Sequence, residues 1–148
     1  MDTKSVEYMV YDEEDGNKRR AFITACTDAE TLHLYAYNYN WDDGFEEPTL
    51  IMQNPNCSMS TALTLFYLAD GVEYLSDTEQ EADEYEQDWQ AFVKTLYNRI
   101  IKGDFPSSPI RFEPPITRVE RYEIEKDLSD EESVFYTPID GIDCNIDV

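Results

Sequence analysis

Between Ser76 and Lys102 the residues Ala82, Tyr85, Trp89, Phe92, Val93, Leu96 and Ile100 recur at intervals of three and four, so all seven fall on one stripe of an α-helix. Ser76-Asp77-Thr78-Glu79 has the pattern of a capping box, and Gly103 supplies a stop. A stripe of that length has to be buried against other elements. This helix is therefore expected to organise the fold, and the other segments are read around it.

Thr27-Asp28-Ala29-Glu30 is a second capping-box pattern, with the Thr27 hydroxyl placed to cap a helix. Leu32, Tyr35, Ala36 and Tyr39 follow on one face, and Asn38-Tyr39-Asn40 ends it. A short helix is predicted over Glu46 to Gln53, where Pro48 fits the first turn and Asn54-Pro55-Asn56 breaks it. Ser58 to Asp70 opens with a capping serine and is apolar on nearly all sides, so it should be the central helix, ended by Gly71. Residues 5–26 admit two readings. Val6, Tyr8 and Val10 alternate around a turn at Asp12 to Asn17, as in an N-terminal hairpin, whereas Ala21, Phe22 and Ala25 fit a helix over Arg19 to Cys26.

After Gly103 come Pro106, Pro109, Pro114 and Pro115, which exclude a continuous helix and predict an extended, proline-rich C-terminal segment. Ile116, Arg118, Glu120 and Tyr122 alternate with Thr117, Val119, Arg121 and Glu123 as one edge strand would. Leu128 to Val148 is read as either docked or a tail. The fold class expected is mainly α, a small helical domain, with residues 1–148 forming one domain.

The middle of the chain carries a linked series of motifs: Asn38-Tyr39-Asn40-Trp41-Asp42-Asp43-Gly44, Pro48, Asn54-Pro55-Asn56-Cys57, Thr61-Ala62-Leu63 with Phe66, and Ala69-Asp70-Gly71. In these pieces residues 28–75 resemble DUF4274, a family of bacterial domains without an established function. Family members tend to have Asp and Gly where this chain has Ser58 and Ser60. The resemblance implies a small helical domain and, more loosely, occurrence beside toxin and immunity genes. It implies no catalytic residues.

The charge narrows the function. Asp and Glu number 33 against 11 Lys and Arg, a formal net charge of −22, while 41% of the residues are hydrophobic and 14% aromatic, too many for a disordered polyanion. Such a surface repels nucleic acid and anionic membranes and attracts basic molecules. No apolar run approaches the roughly 20 residues of a membrane span, and Met1-Asp2-Thr3-Lys4-Ser5-Val6-Glu7 lacks the character of a leader, so a cytoplasmic location is expected. Cys26, Cys57 and Cys144, widely spaced and without a Cys-x-x-Cys pair, fit free thiols rather than a disulfide frame or zinc site.

Catalytic patterns are missing. His33 is the single histidine, set on the flank of a helix as a surface or boundary residue, with no Ser or Cys elbow near it. Calcium-loop register fails at both candidate glycines, because Gly44 and Gly16 would put Tyr39 and Tyr11 at the first ligand position. No catalytic residue, metal or cofactor is expected, and carboxylate pairs such as Glu46 with Glu47 are too common here to single out.

Two partner-binding candidates stand out. Trp41, Asp42 and Asp43 combine an aromatic surface with two acids, although the simpler reading is structural, with Trp41 plugging the gap between helices and Asp42 or Asp43 capping the next one. Glu79, Asp83 and Glu86 form an i, i+4, i+7 row on the long helix, where each like-charge neighbour costs about 0.2–0.5 kcal/mol, so the row is either a solvated face tolerated by a stable core or one that a basic partner compensates. The functional expectation is an acidic binding protein, such as an immunity or inhibitor protein that masks a basic toxin domain. The rival expectations are a nucleic-acid mimic that occupies DNA-binding proteins and a metal-dependent enzyme using clustered carboxylates.

Overall fold

A computed structural model describes residues 1–148. The chain forms eight α-helices: α1 (Thr3–Tyr11), α2 (Gly16–Ala25), α3 (Ala29–Asn38), α4 (Glu46–Gln53), α5 (Met59–Leu68), α6 (Val72–Ser76), α7 (Gln87–Lys102) and α8 (Arg118–Asp127). Two 3-10 helices, Trp41–Asp43 and Glu131–Tyr136, complete it, and the only β pairing is two isolated bridges, Ile110 with Ile142 and Phe112 with Ile139. The architecture is mainly α.

Helix α5 is the axis. Ser60 to Phe66 are all buried, so the helix needs cover on every side, and it receives α3 on one flank and α7 on another. Its first turn is capped by Ser58, whose Oγ accepts from the Thr61 amide at 3.1 Å. Its end is set by contact rather than by conformational freedom alone. A Cβ on Gly71 would lie 2.6 Å from the Phe66 carbonyl oxygen, so only glycine lets the chain fold back there into α6. The stop at Gly103 is of the other kind, a left-handed residue with φ of 70° that closes α7.

The N-terminal hairpin does not exist; residues 3–25 form α1 and α2, and the helical reading of Arg19 to Cys26 is the correct one. Asp2 caps α1 by accepting from the Ser5 amide, and Asp15 caps α2 by accepting from the Asn17 amide. The apparent alternation misleads because Val6 is fully buried, with Val10 packed against the core, while Tyr8 is exposed. Positions 6 and 10 are one turn apart on the helix face that meets α3. Helix α3 begins one residue later than predicted. Asp28, not Thr27, is its cap, accepting from the Glu30 amide and from the Thr31 hydroxyl.

The long acidic helix is also corrected. Helix α7 begins at Gln87, and residues 77–86 form turns, with Ala82 only partly buried and Tyr85 93% exposed. The reason is topological. Tyr74 in α6 packs its ring on Tyr97 at 5.4 Å, ten residues inside α7, so the connecting chain must climb roughly 15 Å back to Gln87. A helix continued to residue 77 would carry Ser76 a similar distance the other way and separate the two tyrosines.

The predicted edge strand at 116–123 is a helix. Thr117 accepts from the Glu120 amide while Glu120 accepts from the Thr117 amide, a capping box that starts α8. Leu128 to Val148 is docked, not a tail. Phe135 is fully buried, its ring 4.6 Å from Phe66 and 5.4 Å from Tyr97, and the Tyr67 hydroxyl donates to its carbonyl at 2.7 Å. His33 is likewise no surface residue. It is fully buried, Nδ1 3.0 Å from Thr61 Oγ1 and Nε2 2.7 Å from Asn145 Oδ1, so the ring ties α3 and α5 to the C-terminal segment. Asn38 adds a second tie, donating to the Ile146 carbonyl at 2.8 Å and accepting from the Val148 amide at 3.1 Å.

Candidate functional site

The largest concavity is a groove of about 710 Å³ between α4 and the first half of α7, with Arg20 of α2 on its rim. Glu46, Thr49, Leu50 and Gln53 supply the α4 wall, and Asp88, Ala91, Phe92 and Thr95 the α7 wall. Both sets follow helical spacing, which explains why each presents one continuous face. Phe45 and Phe92 touch at 5.4 Å between ring centroids and form an apolar centre.

Trp41 lies against that centre. Its ring is 6.0 Å from both Phe45 and Phe92 and meets Tyr39 edge-on at 5.4 Å. The residue thus plugs the gap between α3, α4 and α7, as its structural reading predicts. Its indole N–H is buried and meets no acceptor from the chain. Asp42 and Asp43 are both exposed, but neither caps α4, whose first turn begins at Phe45 without a side-chain cap. That expectation is overturned. Asn40 is the capping side chain here, accepting from the Asp42 amide to start the 3-10 turn.

Asp43 lines the groove and Asp42 does not. From the opposite side, Asp88 is the one acid of the 77–88 run that reaches it. Glu79, Asp83 and Glu86 do not form a helical row. Asp83 turns inward on its own backbone, accepting from the Tyr85 and Glu86 amides at 2.9 and 3.0 Å, and Asp77 does the same for Glu79. The fold therefore brings Asp43 and Asp88 to one rim and leaves Glu79, Asp83 and Glu86 on the turns that lead to it.

Around the apolar centre stand three carboxylates, Asp43, Glu46 and Asp88, and one guanidinium, Arg20. Arg20 Nε is 3.5 Å from Glu46 Oε1, and its Nη2 donates to Asn17 Oδ1 at 2.6 Å. Behind the rim is a second, buried ion pair. Glu47, 5% exposed, takes Arg19 Nε at 3.4 Å and a short hydrogen bond from the Tyr35 hydroxyl, while Arg19 Nη1 donates to the Glu13 carbonyl. Burial, reinforced by the Glu47 charge, pushes the Tyr35 and Tyr39 phenols well above the ordinary tyrosine range, so both remain protonated donors.

Sequence reasoning passed over Arg20, Phe45, Glu46, Leu50 and Asp88 as site residues. The available signal was the spacing Glu46, Thr49, Leu50, Gln53, a polar-apolar face on a helix whose residues Glu47, Pro48 and Ile51 are buried on the other side. No group of three or more His, Cys, Asp or Glu side chains converges as metal ligands do. No helix is long and apolar enough to cross a membrane.

No curated protein and no solved structure matches the chain. A family described as a domain of unknown function, DUF4274, matches residues 27–101, from the residue before the α3 cap to the last turn of α7. That stretch is just over half of the chain and contains both walls of the groove, and the protein is a member of the DUF4274 family.

Proposed function

We propose that the chain is a protein-binding domain that masks a basic partner, in the manner of an immunity or inhibitor protein, and that the groove between α4 and α7 receives the partner's contact segment. One observation carries the reading. Two acidic stretches far apart in sequence, around Asp43 and Asp88, meet on the rim of an apolar groove, in a chain whose formal net charge is −22. Charge complementarity of this kind raises association rates and selects partners, while the apolar centre contributes the short-range energy. The fitting ligand is a segment carrying lysine or arginine on either side of an aromatic or aliphatic side chain.

The experiment is to mix the purified chain with the protein encoded by the gene adjacent to its own and measure association and dissociation at low and at physiological salt. Replacing Asp43→Asn and Asp88→Asn together is expected to slow association and weaken binding by about two- to thirtyfold, since two exposed charge pairs contribute about 0.2–1 kcal/mol each. Failure of the neighbour to bind, or equal binding by the double variant, would count against this reading.

A further inference from the structure

Arg20 is out of place on this rim. It is the single cation in a groove whose other charged groups are Asp43, Glu46 and Asp88, in a chain with three acids for every base. It is also not part of the buried network, because the ion pair behind the rim belongs to the preceding residue, Arg19, with Glu47. The Arg20 side chain is about one-third exposed and leans across from α2 to Glu46, which is 70% exposed on the α4 wall.

A guanidinium held against a carboxylate at the edge of an apolar cleft is what a bound arginine from a partner would look like. We propose that Arg20 is an internal placeholder: in the free protein it occupies the position that a partner's arginine or lysine takes on Glu46, and it swings aside on binding. This rests on the groove being the docking site and adds to it a built-in competitor. The chemistry supports the exchange. The Arg20–Glu46 contact is long at 3.5 Å and open to water, so it contributes little and is easily replaced. Arg20 keeps a second hold, its 2.6 Å hydrogen bond to Asn17 one turn back, which gives the displaced side chain a resting place. The consequence is a modest bias, since every ligand has to displace the resident guanidinium and one that offers Glu46 a stronger cationic contact is favoured.

The test uses the full chain and a synthetic helical peptide with one phenylalanine flanked by arginines, with binding read by fluorescence anisotropy at physiological salt. Arg20→Gln removes the competitor and is expected to tighten binding about three- to fivefold. Arg118→Gln, which makes the same change in net charge on α8 away from the groove, is expected to change it less than twofold. In a Glu46→Gln background the gain from Arg20→Gln should disappear, because the two effects then share one contact. Circular dichroism and thermal midpoints of the variants establish that they fold. Binding that depends on Asp43 and Asp88 but is unchanged or weakened by Arg20→Gln overturns the placeholder and leaves the groove reading standing. No binding of the peptide by any form overturns both.

Discussion

Phe135 provides the sharpest check on how the molecule is built, because it lies outside the family-matched residues yet sits in the centre of the core. Replacing it with alanine removes a fully buried ring that stacks on Tyr97 and meets Phe66 at a tilt. Loss of the buried apolar surface alone accounts for about 2–3 kcal/mol. The two ring contacts add about 0.5–1.5 kcal/mol each, and the cavity left behind cannot fully collapse between helices, so the total falls in the range of about 3–5 kcal/mol seen for such truncations. For a domain of this length that is a fall in melting temperature of roughly 10–15 °C. Urea unfolding followed by far-ultraviolet circular dichroism gives the free energy directly, and an unchanged slope would locate the effect in the folded state. A loss below about 1 kcal/mol would refute the reasoning, since residues 128–148 would then be draped on the helices rather than completing their core.

His33 gives a prediction in pH. Burial holds its imidazole below the ordinary histidine range, with Asn145 and Asp143 opposing only in part. The unfolded chain therefore takes up the proton first as pH falls through about 6.5, and this residue's contribution to stability is present above that value and declines below it. The melting temperature of the native protein minus that of His33→Gln should shrink between pH 7.5 and 5.5; a constant difference excludes the effect. Thr117→Ala removes half of the α8 capping box and should cost about 1 kcal/mol locally. Because α8 buries no residue, amide exchange at Val119 to Tyr122 should quicken several-fold while the global unfolding midpoint stays put.

The elements that could be read from sequence are those whose local signals agree with their burial. Glu46 to Gln53 and the Ser58 cap were legible because Pro48, Ser58 and the Asn54-Pro55-Asn56 break act within a few residues of the helix they define. The errors arise where a local pattern serves a different end. Ser76 to Glu79 looks like a cap, but the Tyr74–Tyr97 contact fixes where that segment must go, and no feature of residues 76–86 reveals it. At 117–120 the opposite happened. The pattern Thr-Arg-Val-Glu is a capping box in plain view, and the alternation in the surrounding residues is coincidental. The groove was only half visible, because Asp43 was marked on one wall while the acids marked on the other stopped at Glu86, two residues short of Asp88.

His33 and Asn38 belong to the shared family segment, and three of their hydrogen-bonding partners, Asn145, Ile146 and Val148, do not. The same holds for Phe66, which faces Phe135, and for the α3 surface beneath Val6. In this protein the family-matched residues thus form a scaffold whose flanks are closed by chain on either side of it. Without residues 128–148 the aromatic face of Phe66 and Tyr97 would be bared, and His33 and Asn38 would keep only their partners Thr61 and Leu34.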